Sequence, residues 1–145
     1  MADIERTAQA VWHGDLREGK GKINTSSGVL KDTPYTYATR FENAAGTNPE
    51  ELIAAAHAAC FSMALANILS KKEHEVHHIE TRAITYLTEQ PGGRKITKIR
   101  LETQGRVEDI DDETFLTNAE EAKRTCPVSY AFSAIEIELD AKLIH

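Results

Sequence analysis

The segment Gly46-Thr47-Asn48-Pro49-Glu50-Glu51-Leu52-Ile53-Ala54-Ala55-Ala56-His57-Ala58-Ala59-Cys60-Phe61-Ser62-Met63-Ala64-Leu65 reads as a helix start followed by a long apolar helix. Asn48 suits an N-cap, Pro49 sits where a first-turn proline is tolerated, and Glu51 falls at the capping-box position. Thr47 with Glu50 gives the same pattern one residue earlier. Either register puts carboxylates in the first turn, where the helix dipole favours them. From Leu52 to Leu69 only His57, Ser62 and Asn67 are polar. A helix apolar on nearly every face is expected to be buried on nearly every side. Its one chemically reactive side chain is Cys60, and the chain has one other cysteine, Cys126.

Working outward, the flanks read as strands. Thr7–Trp12 and Gly19–Thr25 are expected to pair across a turn at His13-Gly14-Asp15. Val29–Leu30 and Thr36–Phe41 read as short strands separated by a turn at Asp32-Thr33-Pro34. After the helix, which is expected to run to about Lys71, Ile79–Glu89 alternates. Gln90-Pro91-Gly92-Gly93 signals a hairpin, and Ile99, Leu101, Thr103, Gly105 and Val107 alternate on the return. Asp111 or Asp112 caps a second helix with an apolar stripe of Phe115, Ala119, Ala122 and Cys126, ended by Pro127. Ile135, Ile137, Leu139, Ala141 and Leu143 then alternate with charged residues on a last strand. The expected class is α+β with a mostly antiparallel sheet, in a single domain over residues 1–145. One sheet covers one side of the apolar helix. A homodimer that lays two such helices together is the simplest cover for the other.

With 145 residues, 23 acidic against 17 basic side chains and a net charge of −6, the chain does not fit a nucleic-acid or anionic-membrane binder. The Leu52–Leu69 run is long enough to raise a membrane span, but its alanine content and its interior His57 and Asn67 favour a buried helix. The start, Met1 to Arg6, has no apolar run of a secretory signal, so a cytoplasmic location is expected. Two cysteines in such a chain are catalytic or inert rather than a structural disulfide. His74, His77 and His78 read as a solvated loop rather than a metal site.

Two readings of the cysteines stand side by side. A thiol in apolar surroundings has a raised pKa and is unreactive, which makes Cys60 a small core residue. Alternatively, the two inward-facing cysteines meet in space and cycle between dithiol and disulfide. His57 and Cys60 are neighbours on one helix face, as a dyad or as a satisfied core histidine beside a thiol. A metal site built from Cys60, Cys126 and His57 is a further alternative.

The central segment closely resembles the OsmC/Ohr family, the osmotically inducible and organic hydroperoxide resistance proteins. Cys126-Pro127-Val128-Ser129 resembles its second element, and Trp12-His13-Gly14-Asp15, Ser26-Ser27-Gly28-Val29-Leu30 and Thr39-Arg40-Phe41-Glu42 resemble the opening of the OsmC branch. The resemblance implies an intertwined α+β homodimer, with antiparallel sheets around two long central helices. It implies thiol-dependent reduction of organic hydroperoxides, and less well of hydrogen peroxide, with no metal or organic cofactor. The electrons would come from a dithiol such as a lipoyl group. It implies Cys60 as the peroxidatic thiol and Cys126 as its resolving partner. It puts the functional arginine just before the central helix, at Arg40, rather than in an early glycine-rich loop. Glu50 would hold Arg40, and because Glu50 lies roughly 15 Å from Cys60 along one helix, a partner helix is expected to supply it. Phe61, Met63 and Phe132 are expected to line an alkyl pocket. The alternative is a non-catalytic dimeric binding or stress-structural protein with inert core cysteines.

Overall fold

The computed structural model describes residues 2–145; Met1, part of the start read for a signal, lies outside them. The chain forms two compact units, Met1–Pro49 and Glu50–His145.

In the first unit, β1 (Ala8–His13), β2 (Lys20–Thr25) and β3 (Thr33–Tyr35) form an antiparallel sheet in the order β1-β2-β3. Gly21 on β2 lies under the Trp12 and Tyr35 rings, whose centroids are 5.3 Å apart, and a Cβ there would collide with both. The Trp12 indole N–H donates to the Gly14 and Asp15 carbonyls, 3.1 Å each, and pins the β1–β2 turn.

Two expectations for this region are corrected. Thr33–Tyr35, read partly as a turn, is strand, and Val29–Leu30 lies in a turn. Thr36–Phe41, read as strand, is the entry to a short helix, α1 (Tyr37–Phe41). The cause is a reciprocal cap. The Thr36 hydroxyl accepts from the Thr39 N–H at 3.3 Å, and the Thr36 N–H donates to the Thr39 hydroxyl at 2.9 Å. Side chains that satisfy the backbone at a helix start outweigh the strand preference of a Thr/Tyr-rich segment.

The second unit is built on α2 (Pro49–Lys71), β4 (Val76–Gln90), β5 (Gly93–Val107), α3 (Asp112–Thr125), α4 (Pro127–Ala131) and β6 (Glu136–Leu143). Glu50 and Glu51 occupy the first turn of α2. β4 and β5 form a long antiparallel hairpin, turning at Pro91-Gly92. On β5, Ile99, Leu101, Thr103, Gly105 and Val107 are all buried, as alternation requires of a strand with one covered face. α3 is capped by Asp111, whose carboxylate accepts from the Thr114 N–H at 2.7 Å. Its expected stripe of Phe115, Ala119 and Ala122 is buried, with Cys126 following it. Phe61, Leu65 and Leu69 of α2 join Ile99, Leu101 and that stripe in one core.

Two further expectations are corrected here. β6 pairs with β5 in parallel, so this sheet is mixed rather than antiparallel. The helical segment between them supplies the crossover that a parallel pair needs. Pro127 does not only end a helix; it opens α4 from its first position, where its missing N–H costs nothing. Within its own chain, α2 is covered on one side. Its buried residues Glu50, His57, Phe61, Leu65 and Leu69 follow one side, whereas Ala55, Ala59 and Met63 are exposed, Met63 by 75%. α2 is also long and apolar enough to cross a membrane by length and composition.

Gly105 is where α3 meets the sheet. A Cβ at this position would lie 2.6 Å from two atoms of the Phe115 ring, which is itself 1% exposed. Gly105→Ala is therefore expected to destabilise the protein by about 1–3 kcal/mol through overpacking. A lower urea midpoint with an unchanged denaturant slope would register it.

Candidate active site

Cys60 sits in the middle of α2 and is half-buried; Cys126 is fully buried at the junction where α3 ends and α4 begins. Both are free thiols. Their sulfurs are 3.0 Å apart, with the Cys126 thiol donating toward Cys60. That separation is only about 1 Å longer than an S–S bond. The placement follows from packing. The stripe of α3 drives its inner face against the core, and Cys126 continues that face at the helix end. Cys60 lies next to the buried Phe61 and packs at the margin of the same core.

The electrostatics of this pair are opposed. Burial, and then the adjacent Cys126 sulfur, push the Cys60 thiol up from its ordinary value of 9.0. The Val128 backbone N–H, in the first turn of α4, donates to the Cys60 sulfur and pulls the other way. Upward causes prevail, so within its own unit Cys60 is a neutral thiol at pH 7. A thiolate there needs an added positive charge.

His57, one turn before Cys60, is fully buried, and its Nε2 is 2.7 Å from the Ser129 hydroxyl. Its Nδ1 has no hydrogen-bond partner among the described residues. Burial lowers its pKa from 6.5, so the ring is neutral at neutral pH. Among the described residues, no three or more His, Cys, Asp or Glu side chains gather as a metal-ligand set. His77 instead contacts Glu108 at 2.7 Å on the surface.

The remaining expected residues are placed as follows. Glu50 is buried in the first turn of α2. Arg40 belongs to the first unit, at the end of α1, with its guanidinium 5.2 Å from the Phe41 ring centre. It lies on the wall of a hollow of about 400 Å³ lined by Trp12, Leu16, Tyr35, Tyr37 and Phe41. Phe61 is corrected to a core residue: it is 0% exposed and presents no surface to a ligand. Met63 is exposed, and Phe132 is partly buried against the core.

Sequence reasoning missed Val128, Ser129 and the aromatic hollow. Ser129 had a signal, since it stands three residues from Cys126 as His57 stands three from Cys60. Val128 had none, because a backbone N–H is the same for every residue type. An arginine does occupy the early glycine-rich turn: Arg17, whose guanidinium lies 4.8 Å over the Tyr37 ring.

The family model described as OsmC-like protein matches residues 42–140. The chain is 48% identical over 140 residues to Peroxiredoxin OsmC of Escherichia coli (strain K12), covering 97% of both chains. It is 31% identical over 124 residues to the organic hydroperoxide resistance protein OhrB of Bacillus subtilis (strain 168), covering 84% of this chain and 89% of that one. The crystal structure of B. subtilis OhrB superposes with a TM-score of 0.68 at 28% identity, covering 95% of this chain and 98% of the other. By the family model over residues 42–140 and by its 48% identity to a member over 97% of its length, the chain belongs to the OsmC-like protein family.

Proposed function

We propose that the chain is a cysteine-based peroxidase that reduces organic hydroperoxides to alcohols. The observation that carries this reading is the 3.0 Å approach of two free sulfurs, one buried and one at the margin of the core. The relatives named as a peroxiredoxin and as a hydroperoxide resistance protein support the same class. Cys60 attacks the O–O bond as thiolate, releases the alcohol and becomes a sulfenic acid. Cys126 condenses with it to a disulfide, and an external dithiol, of lipoyl type, reopens the bond by exchange.

Cys60 is the attacking sulfur because it is the more exposed of the two. Its thiol is pushed up by burial, so ionisation calls for a cation. Arg40 fills that role, and Glu50 orients it through a carboxylate–guanidinium pair. Glu50 stands roughly 15 Å from Cys60 along α2, so a second copy supplies the pair to each Cys60. The exposed stripe of Ala55, Ala59 and Met63 is the face on which that second copy docks, as a homodimer with two α2 helices side by side. Apolar walls suit an alkyl substrate: the aromatic hollow beside Arg40 favours organic over hydrogen peroxide. The reading places the protein in the cytoplasm, where a reduced dithiol is at hand, with no nucleic-acid or membrane partner.

Thiol titration around a stoichiometric dose of tert-butyl hydroperoxide tests the class. Two thiols per chain should disappear and return with a dithiol; retention of both would leave the inert-core dimer as the better description. In single-turnover assays, Cys126→Ser should consume roughly one peroxide per site and stop, whereas Cys60→Ser should consume none. Equal loss of the first turnover in the two variants would overturn the assignment.

Arg40→Met should move the rising limb of the rate–pH profile about 1–3 units higher, because the buried thiol loses the charge that lowers its pKa. An unmoved profile would assign the ionisation to another group. In competition, cumene hydroperoxide should react faster than hydrogen peroxide, measured as second-order rates.

A further inference from the structure

Disulfide closure depends on how α4 is held against α2, beyond the apolar packing of Val128 and Phe132 on the core. α4 spans only Pro127–Ala131, too short to be stable by helix propagation. Its first residue lacks an N–H. The backbone swings from α3 into α4 at Cys126, at φ −57 and ψ 128. Two of the contacts from this segment to α2 end on the Cys60 sulfur: the Cys126 thiol and the Val128 N–H. Oxidation of Cys60 places an oxygen on that sulfur, so both contacts change as the reaction begins. The hydrogen bond between His57 Nε2 and Ser129 Oγ does not involve sulfur. It is 2.7 Å long, with His57 0% and Ser129 3% exposed. Each partner lies one helical turn from a cysteine, His57 before Cys60 and Ser129 after Cys126.

We infer that His57 and Ser129 are positioning residues for disulfide closure: their buried hydrogen bond keeps Cys126 in reach of Cys60 after Cys60 has been oxidised. This rests on the peroxidase reading above. The neutral imidazole suits the role, since a buried charge at this junction would need a counter-ion.

The sulfenic acid at Cys60 has two fates. In closure, the Cys126 thiolate attacks the Cys60 sulfur. An S–S bond forms, the S–O bond breaks, and the departing hydroxide takes a proton to leave as water. In overoxidation, the sulfenate attacks a second hydroperoxide, its sulfur gains an oxygen as sulfinic acid, and a second alcohol leaves. The first fate is reopened by dithiol and the second is not. The clasp therefore sets how much peroxide the protein survives.

Ser129→Ala removes the bond and leaves both ring nitrogens of His57 unpartnered, whereas His57→Gln keeps a side-chain nitrogen near the Nε2 position. Reduced full-length protein is mixed with tert-butyl hydroperoxide, quenched by alkylation and weighed by mass spectrometry, with circular dichroism as the check on fold. In Ser129→Ala the first thiol loss should keep its rate while disulfide closure slows about tenfold. Sulfinic acid should then accumulate at Cys60 under excess peroxide. His57→Gln should close like the parent.

Closure at the parental rate in folded Ser129→Ala would overturn the proposal, as would equal slowing in His57→Gln. Should Ser129→Ala lose its fold, His57→Leu supplies the same comparison. If the parent itself loses no thiol to peroxide, the peroxidase reading fails instead, and the clasp is then only a core hydrogen bond.

Discussion

Two sulfurs held 3.0 Å apart at the edge of an apolar core are the constraint around which the second unit is arranged. Neither cysteine could reach the other by local chain geometry. One is in mid-helix, and the other follows a hairpin and a further helix. What brings them together is the packing of α2, β5 and α3 into one core through Phe61, Leu65, Ile99, Leu101, Phe115 and Ala122. Because such interiors are close-packed, a shift of either helix by a fraction of a side chain moves a sulfur. Gly105 belongs to the same constraint: it lets the Phe115 ring approach the sheet closely, and that ring sets how deep α3 settles.

The same burial works against reactivity. Apolar surroundings hold the Cys60 thiol neutral, and the single Val128 N–H only partly offsets them. A sulfur in this position is protected from casual oxidation until a positive charge attends it. This opposition separates the site's two requirements. The core supplies geometry and rests on residues of the second unit alone. Ionisation, in the reading proposed above, comes from a cation: Arg40 is carried by the first unit, on the wall of a hollow lined by aromatic rings.

The parts of the structure that were legible in the sequence are those whose cause is local. The apolar run of α2, the Asp111 cap, the stripe through Phe115, Ala119 and Ala122, and the alternation along β5 all follow from side chains and their spacing. The parallel pairing of β6 was not legible, because alternation gives the same signal whichever way the neighbouring strand runs. The β3–α1 region misled for a different reason: Thr and Tyr favour strands on average, but two threonine hydroxyls at the right separation close a capping box. Phe61 was misassigned because an aromatic beside a reactive cysteine suggests a pocket, while its i+4 partner Leu65 and the following Leu69 place it on the buried face. His57 was recognised as the polar exception on α2, but its partner Ser129 lies 72 positions away. No local rule connects two such residues. Only the fold does.

The two sides of α2 carry different chemistry. Toward its own chain it presents large side chains and two polar groups with partners on other elements: His57 to the buried Ser129, and Ser62 to the partly buried Thr81 at 2.7 Å. On the opposite side Ala55, Ala59 and Met63 are exposed, small residues with one long flexible one. Lipid would reward bulk and bare apolarity on such a face, whereas alanines at four-residue spacing let another helix backbone approach closely. Met63, unbranched and adaptable, fills the irregular space that such an approach leaves. A helix whose inner face is fixed by a core and whose outer face is made of small side chains is suited to protein contact on both sides. Cys60, half-buried, lies between these two faces.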